Sequence, residues 1–202
     1  MTRLRVGTAN PGKLREFREI LEPLGYSVVS IDDLVGFDVV EDGATFEANA
    51  MKKAQAVVLA TGEAAVADDS GLMVDALGGE PGVHSARYAG VSGPTKDARN
   101  RDKLLTALRG VPAAERSARF VCALAYCAPG EAPQLFRGML EGKIGDCERG
   151  DGGFGYDALF EIPIYGKTAA EVSADQKNAV SHRGQALRAL ASFLAMERKR
   201  GG

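Results

Sequence analysis

Thr8-Ala9-Asn10-Pro11-Gly12-Lys13 sits between a short alternating stretch, Leu4–Gly7, and a run with Leu14, Phe17, Leu21 and Leu24 at helical spacing. Asparagine followed by proline predicts a helix cap with proline in the first turn. A helix start presents unpaired N–H groups and partial positive charge. With Thr8, Asn10 and Lys13 added, it makes a seat for a chain of phosphates. Further on, Asp68-Asp69-Ser70-Gly71 follows the small apolar run Ala64–Ala67. A buried, unpaired carboxylate costs several kcal/mol, so two in succession cannot both enter an apolar core cheaply. The expectation is a strand that ends at Asp68, with a carboxylate turned into a cleft. There it could hold Mg²⁺ or take a proton from water.

Glu41 and Lys53 form the next pair. At about 100° per residue, a helix begun after Thr45 places Phe46, Ala50, Lys53 and Val57 on one face and turns Lys52 away. A lysine on an inward stripe calls for an anion or a snorkelling path, and Glu41 offers a second carboxylate for a metal. Gly150-Asp151-Gly152-Gly153-Phe154-Gly155-Tyr156-Asp157 satisfies the letters GxGxxG, but the apolar Ala158–Ile162 and Pro163 follow it where a dinucleotide fold requires a helix. Its glycines suit a loop whose backbone approaches a flat ligand, with Phe154 or Tyr156 offering a ring. Gly166-Lys167-Thr168 lacks the leading glycine of a P-loop, because position 161 is Glu161. Lys177 and His182-Arg183 flank the start of the last helix, near the candidate cap Ser181, and suit an oxyanion or a carbonyl of a base. Each group also has a plainer use, as a capped helix, an Asp-rich turn or a solvated helix start.

These groups need elements to position them. The patterns predict strands at Leu4–Gly7, Tyr26–Ile31, Ala64–Ala67, Phe120–Tyr126 and Leu135–Leu140. They predict helices at 11–24, from Thr45 to Ala60, at Asn100–Leu108 and at Ser181–Met196, with Gly78–Gly93 as loop. Strands and helices mix without strict alternation, which favours an α/β or α+β sheet with helices packed on it. The chain has 202 residues, 45% hydrophobic and 26% charged. One domain is the leading expectation and two small lobes the next. Lys and Arg number 25 against 27 Asp and Glu, for a net charge of −2. No strongly basic field exists to hold nucleic acid. No stretch reaches the length of a membrane span, and the N-terminal apolar run is too short for an export signal. The three cysteines, Cys122, Cys127 and Cys147, form no CxxC pair. Buried or half-buried thiols in a reducing cytoplasm are expected.

Lysines and helix starts at 8–13, 53 and 177–183 ask for an anion. The carboxylates at 41 and 68–69 ask for a metal, and the glycine–aromatic loop asks for a planar base. A nucleoside triphosphate with Mg²⁺ meets all of these demands. Here the chain resembles the inosine/xanthosine triphosphate pyrophosphatases, the Ham1-like family. The matching segments are Thr8–Lys13, Ala67–Leu72, Pro81–Tyr88, Gly153–Asp157 and Ser181–Leu187, in family order along nearly the whole chain. The resemblance implies a single nucleoside-triphosphate pyrophosphatase domain over 1–202, built as an elongated mixed β-sheet with helices packed on it and two lobes around a central cleft. It implies hydrolysis of ITP, dITP and XTP to the monophosphate and pyrophosphate, dependence on Mg²⁺ and a homodimer, while the charge balance and the lack of a long apolar stretch leave no nucleic-acid or membrane partner expected.

Carried over by position, Asp69 is the general base and a metal ligand, and Glu41 a further metal contact. Thr8, Ala9, Asn10, Pro11, Gly12, Lys13 and Lys53 hold the phosphates. Ser70, Phe154, Gly155, Tyr156, Asp157, Lys177, His182 and Arg183 hold the nucleoside. One position departs from the family pattern. Ala48 stands where glutamate is usual and where it would complete a capping box with Thr45, and the neighbouring Glu47 is the candidate substitute. Readings that remain open at this point are a pyrophosphatase for another nucleotide, such as a modified pyrimidine, and a nucleotide-binding regulator without catalysis. An oxidoreductase is a further reading, resting on the glycine loop.

Overall fold

The computed structural model describes residues 2–200. Its strands are β1 (Thr2–Val6), β2 (Tyr26–Val29), β3 (Ala65–Val74), β4 (Ser117–Cys127), β5 (Gln134–Ile144), β6 (Phe160–Ile162) and β7 (Lys167–Thr168). The helices are α1 (Pro11–Leu21), α2 (Phe46–Thr61), α3 (Lys96–Ala107), α4 (Ala174–Val180) and α5 (His182–Arg200). The strands form a seven-stranded mixed sheet in the order β2-β1-β3-β4-β5-β6-β7. β1 pairs in parallel with β2 and β3, whereas β5–β6 and β6–β7 are antiparallel. The fold is therefore α/β with a mixed sheet, as expected. Among the described residues, no helix is long and apolar enough to cross a membrane.

By its contacts the chain divides into two compact units. The first comprises 1–69, 122–138 and 182–202, and the second 70–121 and 139–181. Each has its own core. In the first, Leu4 and Val6 of β1, Phe17 and Leu21 of α1, and Leu187, Leu190 and Leu194 of α5 close around Val66 and Leu124. The helical residues recur every three or four positions, which is the stripe that made both helices legible in the sequence. In the second unit, Leu72, Val74, Leu104, Leu108, Phe160 and Ile162 pack with Phe120. The Phe120 and Phe160 rings lie 4.3 Å apart between centroids. Each such buried side chain contributes roughly 1.5–3 kcal/mol.

Several boundaries differ from expectation. β3 does not stop at Asp68 but runs to Val74, so Asp68 and Asp69 lie within the strand on alternate faces. α1 ends at Leu21, and a separate 3-10 turn, Glu22–Leu24, completes the predicted stretch before Gly25 turns left-handed. α3 begins at Lys96 rather than Asn100. Within the expected loop Gly78–Gly93 lies a 3-10 segment, Gly82–Arg87. Lys177 does not flank the last helix but belongs to α4, a short helix closed at its start by the reciprocal Ser173–Gln176 capping box. Cys122 and Cys127 are buried and Cys147 is exposed.

Gly138 of β5 shows how tightly α5 is seated. A Cβ there would lie 2.0 Å from the His182 carbonyl oxygen and 2.9 Å from Gln185 Cβ. Backbone cannot yield as a side-chain tip can, so only glycine lets α5 start where it does. Gly138→Ala should lose about 1–3 kcal/mol of stability in urea unfolding. Leu135→Ala, at an exposed position of the same strand, should stay within about 0.5 kcal/mol.

Candidate active site

In the first unit the site is built on the starts of α1, α2 and α5 and on the middle of β3. Asn10 caps α1, its side-chain oxygen accepting from the N–H groups of Gly12 (2.9 Å) and Lys13 (3.2 Å). Thr8 Oγ1 accepts from Asn10 N–H at 3.1 Å, which fixes the turn into the helix. Lys13, one turn in, reaches back to Asp68 Oδ2 at 3.1 Å. Arg183, the second residue of α5, is fully buried. It donates to Asp68 Oδ2 at 3.0 Å and to Glu16 of α1. Burial works against the Arg183 charge, yet Asp68 and Glu16 hold its pKa above the usual value. Burial also pulls the Lys13 ammonium below its usual pKa, although Asp68 opposes the shift.

Asp69 points to the other side of β3. Asn49 of α2 donates to its Oδ2 at 2.9 Å. Asn49 also accepts from Gly43 N–H at 2.7 Å and so ties the loop before α2 to the same point. A Cβ on Gly43 would lie 2.6 Å from that amide oxygen, hence the glycine. One turn along α2, Lys53 is buried and donates to Glu41 Oε1 at 2.9 Å. Lys52 turns outward to Asp42. Burial pushes the Asp69 carboxyl above the ordinary carboxylate range, against the opposing pull of Lys53, Asn49 and Lys13.

In the second unit the glycine loop is folded over Asp157. Gly153 and Gly155 have left-handed φ values of 71° and 61°. A Cβ on Gly153 would lie 2.1 Å from Asp157 Oδ2. That oxygen accepts from Phe154 N–H at 2.9 Å and from Lys177 Nζ at 2.8 Å. Lys177 Nζ stands 4.9 Å from the centroid of the half-exposed Phe154 ring, a cation–π distance. Tyr156 turns inward and donates its hydroxyl to the Ser85 carbonyl at 2.9 Å, and burial raises its pKa. Of the two candidate rings, Phe154 is thus the one left half open.

Thr8, Asn10, Lys13, Glu41, Lys53 and Asp69 gather in the first unit, where His182 and Arg183 are buried at the start of α5. Ala9 and Pro11 are exposed at the start of α1, with Gly12 half-buried. Ser70, Phe154, Gly155, Tyr156, Asp157 and Lys177 belong to the second unit. Arg183 was expected at the nucleoside, yet its guanidinium is bonded to two carboxylates. The sequence reading did not single out Glu16, Asn49, Asp97 or Arg101. Asn49 was findable, since it lies four residues before Lys53 on the same helix face.

No group of three or more His, Cys, Asp or Glu is gathered for a metal among the described residues. The donor set nevertheless fits a hard cation that arrives with a substrate. Mg²⁺ typically takes one or two carboxylates and completes its shell with water and phosphate. Moreover, the carboxylates named in the first unit (Glu16, Glu41, Asp68, Asp69) outnumber the cations Lys13, Lys53 and Arg183. A polyphosphate added to these groups would add to that excess of negative charge.

A buried acidic and basic cluster at helix starts, with a separate glycine–aromatic loop, is the equipment of an enzyme for phosphorylated substrates. The model of the Ham1 family matches residues 4–193. The dITP/XTP pyrophosphatase of Geobacter sulfurreducens is 51% identical over 198 residues, 98% of either chain. That of Bacillus subtilis is 48% identical over 191 residues, 94% of this chain and 95% of its own. A HAM1 protein structure from Coxiella burnetii superposes with a TM-score of 0.86 at 40% identity, covering 97% of this chain and 100% of that one. The Staphylococcus aureus Ham1 protein gives 0.84 at 41% identity with the same coverage. The chain belongs to the Ham1 family.

Arg183→Met should cost about 3–5 kcal/mol, because it leaves Glu16 and Asp68 buried without their guanidinium. Carboxyls stranded in this way titrate higher folded than unfolded. Their protonation therefore favours the folded state below the unfolded pKa, and that gain is lost as pH rises. Urea unfolding should show a smaller deficit near about pH 5 than near about pH 8.

Proposed function

We propose that this chain is a nucleoside triphosphate pyrophosphohydrolase. It cleaves the non-standard purine triphosphates ITP, dITP and XTP to the nucleoside monophosphate and pyrophosphate, and so keeps deaminated purines out of DNA and RNA. The observation that carries this is Asp69, a buried carboxylate with a raised pKa beside Lys53 and Lys13. It stands in a chain whose relatives, matched over nearly their full length, bear the name dITP/XTP pyrophosphatase. In this reading residues 1–202 act as one catalytic domain.

The capped start of α1, with Thr8, Ala9, Asn10, Pro11, Gly12 and Lys13, receives phosphate oxygens on backbone N–H groups and the lysine ammonium. Lys53 adds a second ammonium. Asp69, held by Asn49, orients the attacking water for in-line displacement at the α-phosphorus and takes its proton. A carboxyl pushed upward by burial is a better base than a solvated one. Asp69 and Glu41 are the residues that would hold Mg²⁺, which supplies neutralisation of charge on the leaving pyrophosphate. Arg183 serves by holding Asp68, and through it Lys13, in place.

Ser70, the Phe154–Asp157 loop, Lys177 and His182 receive the nucleoside, with the Phe154 ring against the base. Selectivity rests on donors facing the 6-oxo group. Adenine presents a donor there and leaves buried donors unpaired, which makes rejection large. Guanine shares the 6-oxo group, so discrimination against GTP falls on its 2-amino group. The reading includes a homodimer in the cytoplasm working on free nucleotides, and light scattering after gel filtration tests the dimer.

Pyrophosphate release should be fast with ITP and XTP, slow with ATP, GTP and dUTP, and abolished by chelating Mg²⁺. Asp69→Asn should lower kcat by roughly 10²–10⁴-fold while the protein stays folded by circular dichroism. Wild-type turnover in that variant would reject the assignment. Because burial raises the Asp69 pKa, the acid limb of kcat/KM should lie above the ordinary Asp value of about 4.

A further inference from the structure

The Phe154 loop is held from two directions. From its own side, Asp157 accepts from Phe154 N–H and draws Lys177 beneath the ring. From the other, α3 reaches the next residue along. Asp97 Oδ2 accepts from Gly155 N–H at 2.9 Å, and Arg101 donates to the Gly155 carbonyl at 2.8 Å. Asp97 and Arg101 are four residues apart on α3, so their side chains project from the same face. They take both backbone polar groups of a single glycine. Arg101 is itself steadied by Glu148 at 2.9 Å. α3 is in turn fixed to the 3-10 segment, where Asn100 donates to the carbonyls of Ser85 (3.2 Å) and Ala86 (3.3 Å).

Gly155 is left-handed, and glycine is the residue with the most backbone freedom to lose. A loop of such residues samples many conformations unless bonded in place. Only the bonded conformation presents the Phe154 ring at a fixed tilt, and ordering deferred until binding is subtracted from affinity.

We propose that Asp97 and Arg101 are positioning residues for nucleobase recognition, clamping Gly155 so that the Phe154 ring is already set when a planar base arrives. The inference rests on the reading that Phe154 meets the base. It assigns α3 a part in affinity for the base and none in handling phosphate.

The test separates these two ends of the ligand. Asp97→Ala and Arg101→Met should raise KM for ITP about 10- to 100-fold, with kcat changed less than about threefold. Calorimetric affinity for inosine monophosphate should fall by the same factor. Inhibition by inorganic tripolyphosphate, which has no base, should stay at the wild-type value. Asp97→Asn keeps an acceptor oxygen for Gly155 N–H and should recover most of the loss, and Arg101→Met alone carries the test if Asp97→Ala unfolds. Unchanged KM and unchanged monophosphate affinity in the folded variants would overturn the proposal. So would an equal loss of tripolyphosphate binding, which would mark a general structural role. If the wild-type enzyme binds inosine monophosphate but releases no pyrophosphate, the hydrolytic reading fails while the clamp is still decided by the binding arm. If it neither binds the monophosphate nor releases pyrophosphate, both fall.

Discussion

Asp68 is a carboxylate almost without exposure, placed in the middle of a sheet, and much of the first unit is arranged around that fact. Taking such a charge out of water costs several kcal/mol even after relaxation. Arg183 and Lys13 offset the cost from two different helices, and Glu16 meets the remaining face of the guanidinium. The consequence is geometric as much as energetic. α1 must start where Lys13 can reach β3, and α5 must start where Arg183 can. The glycine at 138 is what lets the latter happen. An apolar core would tolerate slippage of these helix starts by a fraction of a turn. A chain of charge-assisted hydrogen bonds does not.

That rigidity matters because the neighbouring residue, Asp69, is the one to which the proposed reaction gives the chemistry. Successive residues of a strand face opposite sides. Fixing Asp68 therefore fixes the direction of Asp69, and Asn49 fixes its carboxylate plane. The two acids have the same side chain and opposite environments. Asp68 meets Lys13 and Arg183 through Oδ2, whereas burial keeps Asp69 less ready to ionise. Separation of roles between adjacent carboxylates is thus set by which face each one meets and by what waits there.

What was legible in the sequence was local. The Asn10 cap, the Thr45 cap and the inward turn of Lys53 against the outward turn of Lys52 all follow from spacing within one helix, and all stand in the structure. The absent glutamate at Ala48 also reads correctly. Thr45 makes its half of the cap to Ala48 N–H at 3.1 Å, while Glu47 faces Arg137 instead of substituting. The start of α4 was legible too, since the Ser173–Gln176 box is a local signal that the sequence reading passed over. What was hidden was long-range. Two charged residues argue for a strand end unless cations are known to be waiting. The one that decides the matter, Arg183, lies 115 residues away. The clamp on Gly155 was hidden for the same reason, its partners being 54 and 58 residues distant in sequence.

The composition of the first-unit cluster carries the last step. Carboxylates outnumber cations there before any substrate arrives, and the lysine nearest Asp68 has its charge weakened by burial. Such a cluster repels a bare polyphosphate more than a surface patch of lysines would. It suits an anion that brings its own cation, because the pair adds less net charge than the bare anion and offers the buried charges of both signs an opposite one. On the proposed reading, a preference for a metal-chelated triphosphate over free phosphate follows from the charge balance of the fold, before any contact with the base is considered.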